Sequence, residues 1–180
     1  LDFFEGSRTG RLLRYDPATQ RTEVMMSGLF FANGVTLGPN EDYVLVNETG
    51  MGRVHRLWLK GDKAGQRDIF IDELPGTPDN IRFDGENTFW IAMPSLRASL
   101  DSLASLPRLR ALLSFLPIPL LEAAAQPASF VIGVNLEGEV VHNLQDQDNP
   151  FHYITGVTPC GDGLYLGSLE TETIGILPKP

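Results

Sequence analysis

Cysteine is nearly missing from this chain. Cys160 is the single one among 180 residues, so no internal disulfide can form and the redox compartment stays open. Basic residues are also few. Lys and Arg total 14 against 23 Asp and Glu, a net charge of -9. Nucleic acid is therefore not expected as the main partner, because phosphates require Lys/Arg-rich faces, whereas a cation suits this balance. The longest apolar stretch, around 111–125, is cut by Pro117 and Pro119 and is too short and broken to cross a bilayer. The first residues carry no basic stretch followed by an apolar one, so no secretory leader is expected within them. No GxSxG, Walker-type loop or CxxC occurs, which removes the serine-hydrolase, nucleotide and zinc readings. Neither disorder nor a membrane span is indicated, since 42% of the residues are hydrophobic and 21% charged.

What is present is a repeat. FANGVTLGPNEDYVLVNETGMGRVHRLWL (31–59), TPDNIRFDGENTFWIAMPS (77–95) and ITGVTPCGDGLYLGSLETETIGIL (154–177) each run short strand, Gly/Asn/Asp turn, apolar strand, polar turn. Asn33 and Asp79 open equivalent strands about 46 residues apart, a spacing that suits a four-stranded propeller blade. Before the first repeat, GRLLRYDPATQRTEVMMSG (10–28) reads as a hairpin turning at Asp16-Pro17. The first full unit is predicted at 33–37, 43–48, 53–59 and 67–72. The second is predicted at 79–84, 88–93, 130–135 and 139–144, and the last covers 154–159, 163–168 and 173–177. Residues 96–125 interrupt the second unit. They are rich in Leu, Ala, Ser and Arg, a helical composition broken by Pro107, Pro117 and Pro119.

The expected fold is all-β, with about thirteen strands in one meander. That makes about three and a half blades, whereas a propeller closes as a ring of whole blades. The arc predicts exposed edges, which a homodimer or strand exchange would cover.

The series GRLLRYDPATQ, FANGVTLGPNEDYVLVNET, GRVHRLWLKG, LPGTPDNIRFDGENTFWIAM and GLYLGSL resembles the strictosidine synthase-like family, which includes the adipocyte plasma membrane-associated proteins. The insertion after FWIAMPS is similar to that of bacterial relatives. The resemblance implies a six-bladed propeller of roughly twice this length, with residues 1–180 as its C-terminal half. It also implies a place beside gluconolactonases and paraoxonases, which hold a catalytic calcium on the propeller axis. By resemblance, Asn33 and Asp79 match two of the calcium ligands of the lactonase-like relatives. A further Glu and Asn would come from blades outside this chain.

Calcium takes six to eight oxygen ligands, and polar residues at successive inner-strand starts converge on the axis. Asn33 and Asp79 occupy such starts, with Asn80 as a further contributor. The same residues also fit plain turn chemistry, since Asn33-Gly34 and Pro78-Asp79-Asn80 are both turn formers. Phe31, Trp90, Met93 and the helical segment are expected to shape a pocket for a small organic substrate, and His152 to look into the channel mouth. His55 is expected in blade packing or on the surface, and His142 on the surface. Strictosidine synthase itself uses a Glu as base near the position of Thr155, and a Thr cannot make that proton transfer near neutral pH. The implied activity is a calcium-dependent arylesterase or lactonase. The rival is a non-catalytic propeller that binds a small molecule or a protein.

Overall fold

The computed structural model describes residues 7–97, 128–146 and 150–180, and among them the chain forms thirteen β-strands in four antiparallel sheets. The first hairpin pairs β1 (Gly10–Asp16) with β2 (Arg21–Leu29). The Asp16 carboxylate fixes its turn by accepting from the Ala18 N–H at 2.9 Å and the Thr19 hydroxyl at 2.8 Å, an Asx turn of the kind Asp-Pro favours.

The first complete sheet runs β3 (Ala32–Leu37), β4 (Tyr43–Glu48), β5 (Arg53–Trp58) and β6 (Arg67–Ile71), in chain order. The second runs β7 (Ile81–Phe83), β8 (Phe89–Ala92), β9 (Phe130–Val134) and β10 (Val140–Gln145). The third has three strands, β11 (Ile154–Cys160), β12 (Gly163–Ser168) and β13 (Gly175–Pro178). Each complete sheet is a four-stranded up-and-down meander, the unit of a propeller blade, so the chain is a partial β-propeller. The expected helical insertion at about 96–125 falls between β8 and β9. Leu96 bridges to Gly76, and beyond Arg97 the insertion lies outside the described residues. No helix among the described residues is long and apolar enough to cross a membrane.

The two-residue period of the strands explains how the sheets stack. All four residues of β8 are buried. Phe89 and Ile91 join Leu45, Val54 and Phe70 between the first and second blades. Trp90 and Ala92, on the opposite face, join Ile154, Val157 and Leu164 between the second and third. β4 divides in the same way: Leu45 faces the second blade, while Val44 and Val46 pack with Met26 and Leu29 of the hairpin. Each fully buried side chain of this size contributes roughly 1.5–3 kcal/mol, so these three seams hold the arc together. Burial is greatest in the middle strands β4, β8 and β9, and the outermost strands β10 and β13 have no buried residue.

Candidate functional site

The three inner strands β3, β7 and β11 lie side by side. Their registers are equivalent: Val35 stands opposite Val46, Ile81 opposite Ile91 and Val157 opposite Leu166. Asn33, Asp79 and Thr155 therefore occupy one position in three successive blades, and Gly34, Asn80 and Gly156 the next. One bond repeats along this row. The Gly34 N–H donates to the Asp79 carbonyl at 2.9 Å, and one blade on the Asn80 N–H donates to the Thr155 carbonyl at 3.2 Å. Gly34 is required by this approach, since a Cβ there would collide with the Asp79 carbonyl oxygen and lie 2.7 Å from the Asn80 Cα.

Asp79 is only partly exposed, two residues ahead of β7. Burial pushes its carboxyl up to about 6, and the Asn33 side chain, hydrogen-bonded to the carboxylate, opposes that rise. Among the described residues no basic side chain acts on it. The contrast with other carboxylates is sharp. At Asp68 burial is outweighed by hydrogen bonds from Arg56 and Trp58, and at Asp84 by the N–H groups of Glu86, Thr88 and Asn87, so both are held low. A half-buried carboxylate without a cationic partner, paired with an amide, offers oxygen ligands to a hard cation, and such perturbed groups mark functional sites. Among the described residues no group of three or more His, Cys, Asp and Glu side chains gathers to hold a metal. The oxygen set here is one carboxylate with neighbouring amides. It fits one side of a calcium shell, short of the six to eight oxygens a full one needs.

The other residues singled out from the sequence are distributed as follows. Asn80 joins the row: its Nδ2 donates to Asp79 Oδ1 at 3.2 Å and to the Thr155 carbonyl at 2.7 Å. Phe31 is exposed two residues before Asn33, with a positive φ of 58°. Trp90 and Met93 are core side chains, 1% and 0% exposed, and a substrate would reach neither without displacing its neighbours. His152 pairs with Glu170 at 2.9 Å, three residues ahead of Thr155. His142 is half-buried rather than on the surface, stacked on Trp90 with ring centroids 5.2 Å apart.

Sequence reasoning missed a second buried polar cluster, beside the first. Glu48 ends β4 at 0% exposure. Its Oε2 accepts from Arg53 Nε at 2.6 Å and pairs with His55 Nε2 at 2.7 Å, while Oε1 accepts from the Phe30 N–H at 2.7 Å. Burial alone would raise this carboxyl, but the hydrogen bonds from His55, Phe30 and Arg53 outweigh it and hold it at about 2. His55 is thus a buried partner of a carboxylate. The available signal was Asn47-Glu48-Thr49 following directly on the apolar run Val44-Leu45-Val46, polar residues at the end of the strand expected at 43–48.

The comparisons agree with this architecture. The strictosidine synthase family model matches residues 1–62. The adipocyte plasma membrane-associated protein of Gallus gallus is 35% identical over 177 residues, covering 94% of this chain and 43% of that protein. Strictosidine synthase-like 6 of Arabidopsis thaliana is 38% identical over 170 residues, covering 94% and 44%. The chain thus spans about half the length of the curated relatives it matches. Among solved structures, regucalcin of Agrobacterium tumefaciens, described as a calcium-binding protein, aligns with a TM-score of 0.62 at 14% identity over 92% of this chain and 46% of its own. A gluconolactonase of Xanthomonas campestris aligns with a TM-score of 0.63 at 14% identity, over 94% and 44%. The ordered motifs, the blades and these relatives together place the chain in the strictosidine synthase-like family that includes the adipocyte plasma membrane-associated proteins.

Proposed function

We propose that the intact protein is a calcium-dependent hydrolase that opens a small organic ester or lactone. The observation that carries this reading is the Asp79 carboxylate, partly buried and bonded to Asn33 at the matching position of the preceding blade, with no basic side chain among the described residues to neutralise it. Asn33 and Asp79 would hold the ion, and Asn80 would keep the Asp79 carboxylate and the Thr155 segment in register. Calcium, when bound, supplies Lewis acidity toward a carbonyl oxygen and steadies the negative charge that develops there. Asp79 must be ionised to take part, and Thr155 presents a hydroxyl that can orient a group but not remove a proton near neutral pH. Neighbours described as calcium-binding regucalcin and gluconolactonase support the choice of ion and reaction class.

The test is turnover of an aryl ester and a lactone by the full-length protein, with calcium and with chelator. Chelator-sensitive turnover that disappears in Asp79→Asn is expected. Turnover indifferent to both would sink the hydrolase. A non-catalytic binding propeller is the second reading, favoured by one observation: the oxygens gathered among the described residues are fewer than a full calcium shell needs. Calcium binding without turnover of either substrate class would select it.

For the 180-residue chain folding by itself, we propose a homodimer or strand exchange that covers the edges of the arc. Ile174, Ile176 and Leu177 are exposed at or beside the outermost strand, β13, and Leu13, Tyr15 and Val24 on the first hairpin. A discrete dimer by sedimentation supports it, and a stable monomer overturns it.

A further inference from the structure

The end of β4 differs from its counterparts in the other blades. By the shared register, Asn47, Glu48 and Thr49 correspond to Ala92, Met93 and Pro94 in the second blade and to Gly167, Ser168 and Leu169 in the third. A strand sandwiched between sheets is expected to carry apolar side chains at such places, as β8 does. Here all three polar residues are buried, and each contacts a segment carrying one of the two proposed ligands.

The alternation of the strand sends them in two directions. Asn47 and Thr49 face the second blade. Asn47 Nδ2 donates to the Asp79 carbonyl at 2.6 Å, and the Thr49 hydroxyl donates to the Pro78 carbonyl at 2.6 Å. Glu48 faces the other way, taking the Phe30 N–H at 2.7 Å. The backbone continues the same grip, with the Thr49 N–H on the Phe31 carbonyl at 3.0 Å and the Gly50 N–H on the Phe30 carbonyl at 3.2 Å. Arg53 and His55 lock Glu48 from behind. The segment leading to Asn33 and the segment ending at Asp79 are therefore tied to one rigid strand end.

The geometry points to Asn47, Glu48 and Thr49 as a positioning clamp that fixes the Asn33 segment relative to the Asp79 segment. Stability alone does not account for the choice of residues. Among the described residues Asn47 Oδ1 is buried without a protein hydrogen-bond partner, a destabilising condition that an apolar residue would avoid. Its Nδ2 is used to hold the Asp79 carbonyl, to which the Gly34 N–H also donates. Rigid support of this kind keeps ligand oxygens at the spacing an ion requires. The consequence for calcium rests on the function proposed above, whereas the consequence for local geometry does not.

Amide hydrogen exchange on the intact protein, read by mass spectrometry without metal, separates the two. The variants are Asn47→Ala, Thr49→Val and Thr49→Ser, with Leu57→Ala as a core control buried on the hairpin side of the same sheet. Asn47→Ala and Thr49→Val are expected to speed exchange at Gly34 and around 78–81 while β9 and β12 stay protected, and Thr49→Ser to restore it. Leu57→Ala is expected to loosen the hairpin seam without singling out Gly34. Calcium affinity, measured on the same variants by calorimetry, should fall on the order of tenfold in Asn47→Ala and Thr49→Val and stay near wild type in Thr49→Ser. Unchanged exchange at Gly34, or a uniform rise across all strands, overturns the clamp. The expected local exchange pattern in a protein that binds no calcium would uphold the clamp and sink the calcium reading alone.

Discussion

Two carboxylates lie close along the chain fold, at the end of β4 and just ahead of β7, and they are treated in opposite ways. Glu48 is fully enclosed and supplied with an arginine, a histidine and a backbone N–H, which hold it ionised down to about pH 2. Asp79 is less buried, is met by the Asn33 and Asn80 amides with no basic side chain among the described residues, and is pushed up to about 6. A buried carboxylate given cationic and N–H partners is held ionised, and one short of cationic partners is pushed toward its neutral form. Burial alone does not account for the opposite behaviour of these two acids. The inventory of partners does.

The comparison is broken most strongly at Glu48. Glu48→Gln leaves Arg53 and His55 without their carboxylate and should lower stability by about 3 kcal/mol in denaturant unfolding. Asp79→Asn, measured without metal at pH 8, should be neutral or stabilising. Equal losses in the two variants would erase the distinction.

Next in size is Gly34→Ala, whose methyl meets the Asp79 carbonyl and should destabilise by about 2 kcal/mol through forced separation of the blades. At the equivalent Gly156 a Cβ would have no neighbour closer than 3.9 Å, so Gly156→Ala should leave the thermal midpoint nearly unchanged. Similar midpoints for the two variants would mean that the inner strands are not held as tightly as described.

The pH dependences have opposite signs. Glu48 has a folded value of about 2, below its ordinary 4.5, so its contribution is complete above 4.5 and is lost as pH falls toward 2. Asp79 has a folded value of about 6, above its ordinary 3.8. Its folded form holds the proton longer, so its effect is to lower stability as pH rises from about 3.8 to 6. The difference in stability between wild type and Asp79→Asn should open across that window and close below it. A constant difference from pH 4 to pH 8 would mean that Asp79 titrates normally.

The blades were legible in the sequence because local chemistry sets them. Asp16-Pro17, Gly38-Pro39-Asn40 and Asp84-Gly85 mark turns, and the apolar stretches between them supply the strands, so thirteen strands appear within a few residues of where they are expected. Asn33 and Asp79 emerged from their matching places in the repeat, and their side chains meet in the fold. The remainder depended on neighbouring blades. Trp90 and Met93 resemble pocket walls in sequence but lie inside sheet-to-sheet seams. Asn47 and Glu48 fall at the end of the strand expected at 43–48, but their burial with Thr49 is not legible there, because the groups that satisfy them come from residues 30–31, 53–55 and 78–79.

The central claim is that Asp79 and Asn33 form one side of a cation site. Calorimetric titration of calcium into the intact protein at pH 7.5, beside Asp79→Asn, tests it most directly. The account predicts saturable binding to wild type, weakened as pH falls through 6, and none to the variant. Identical isotherms for the two proteins, or no heat from wild type, would contradict it.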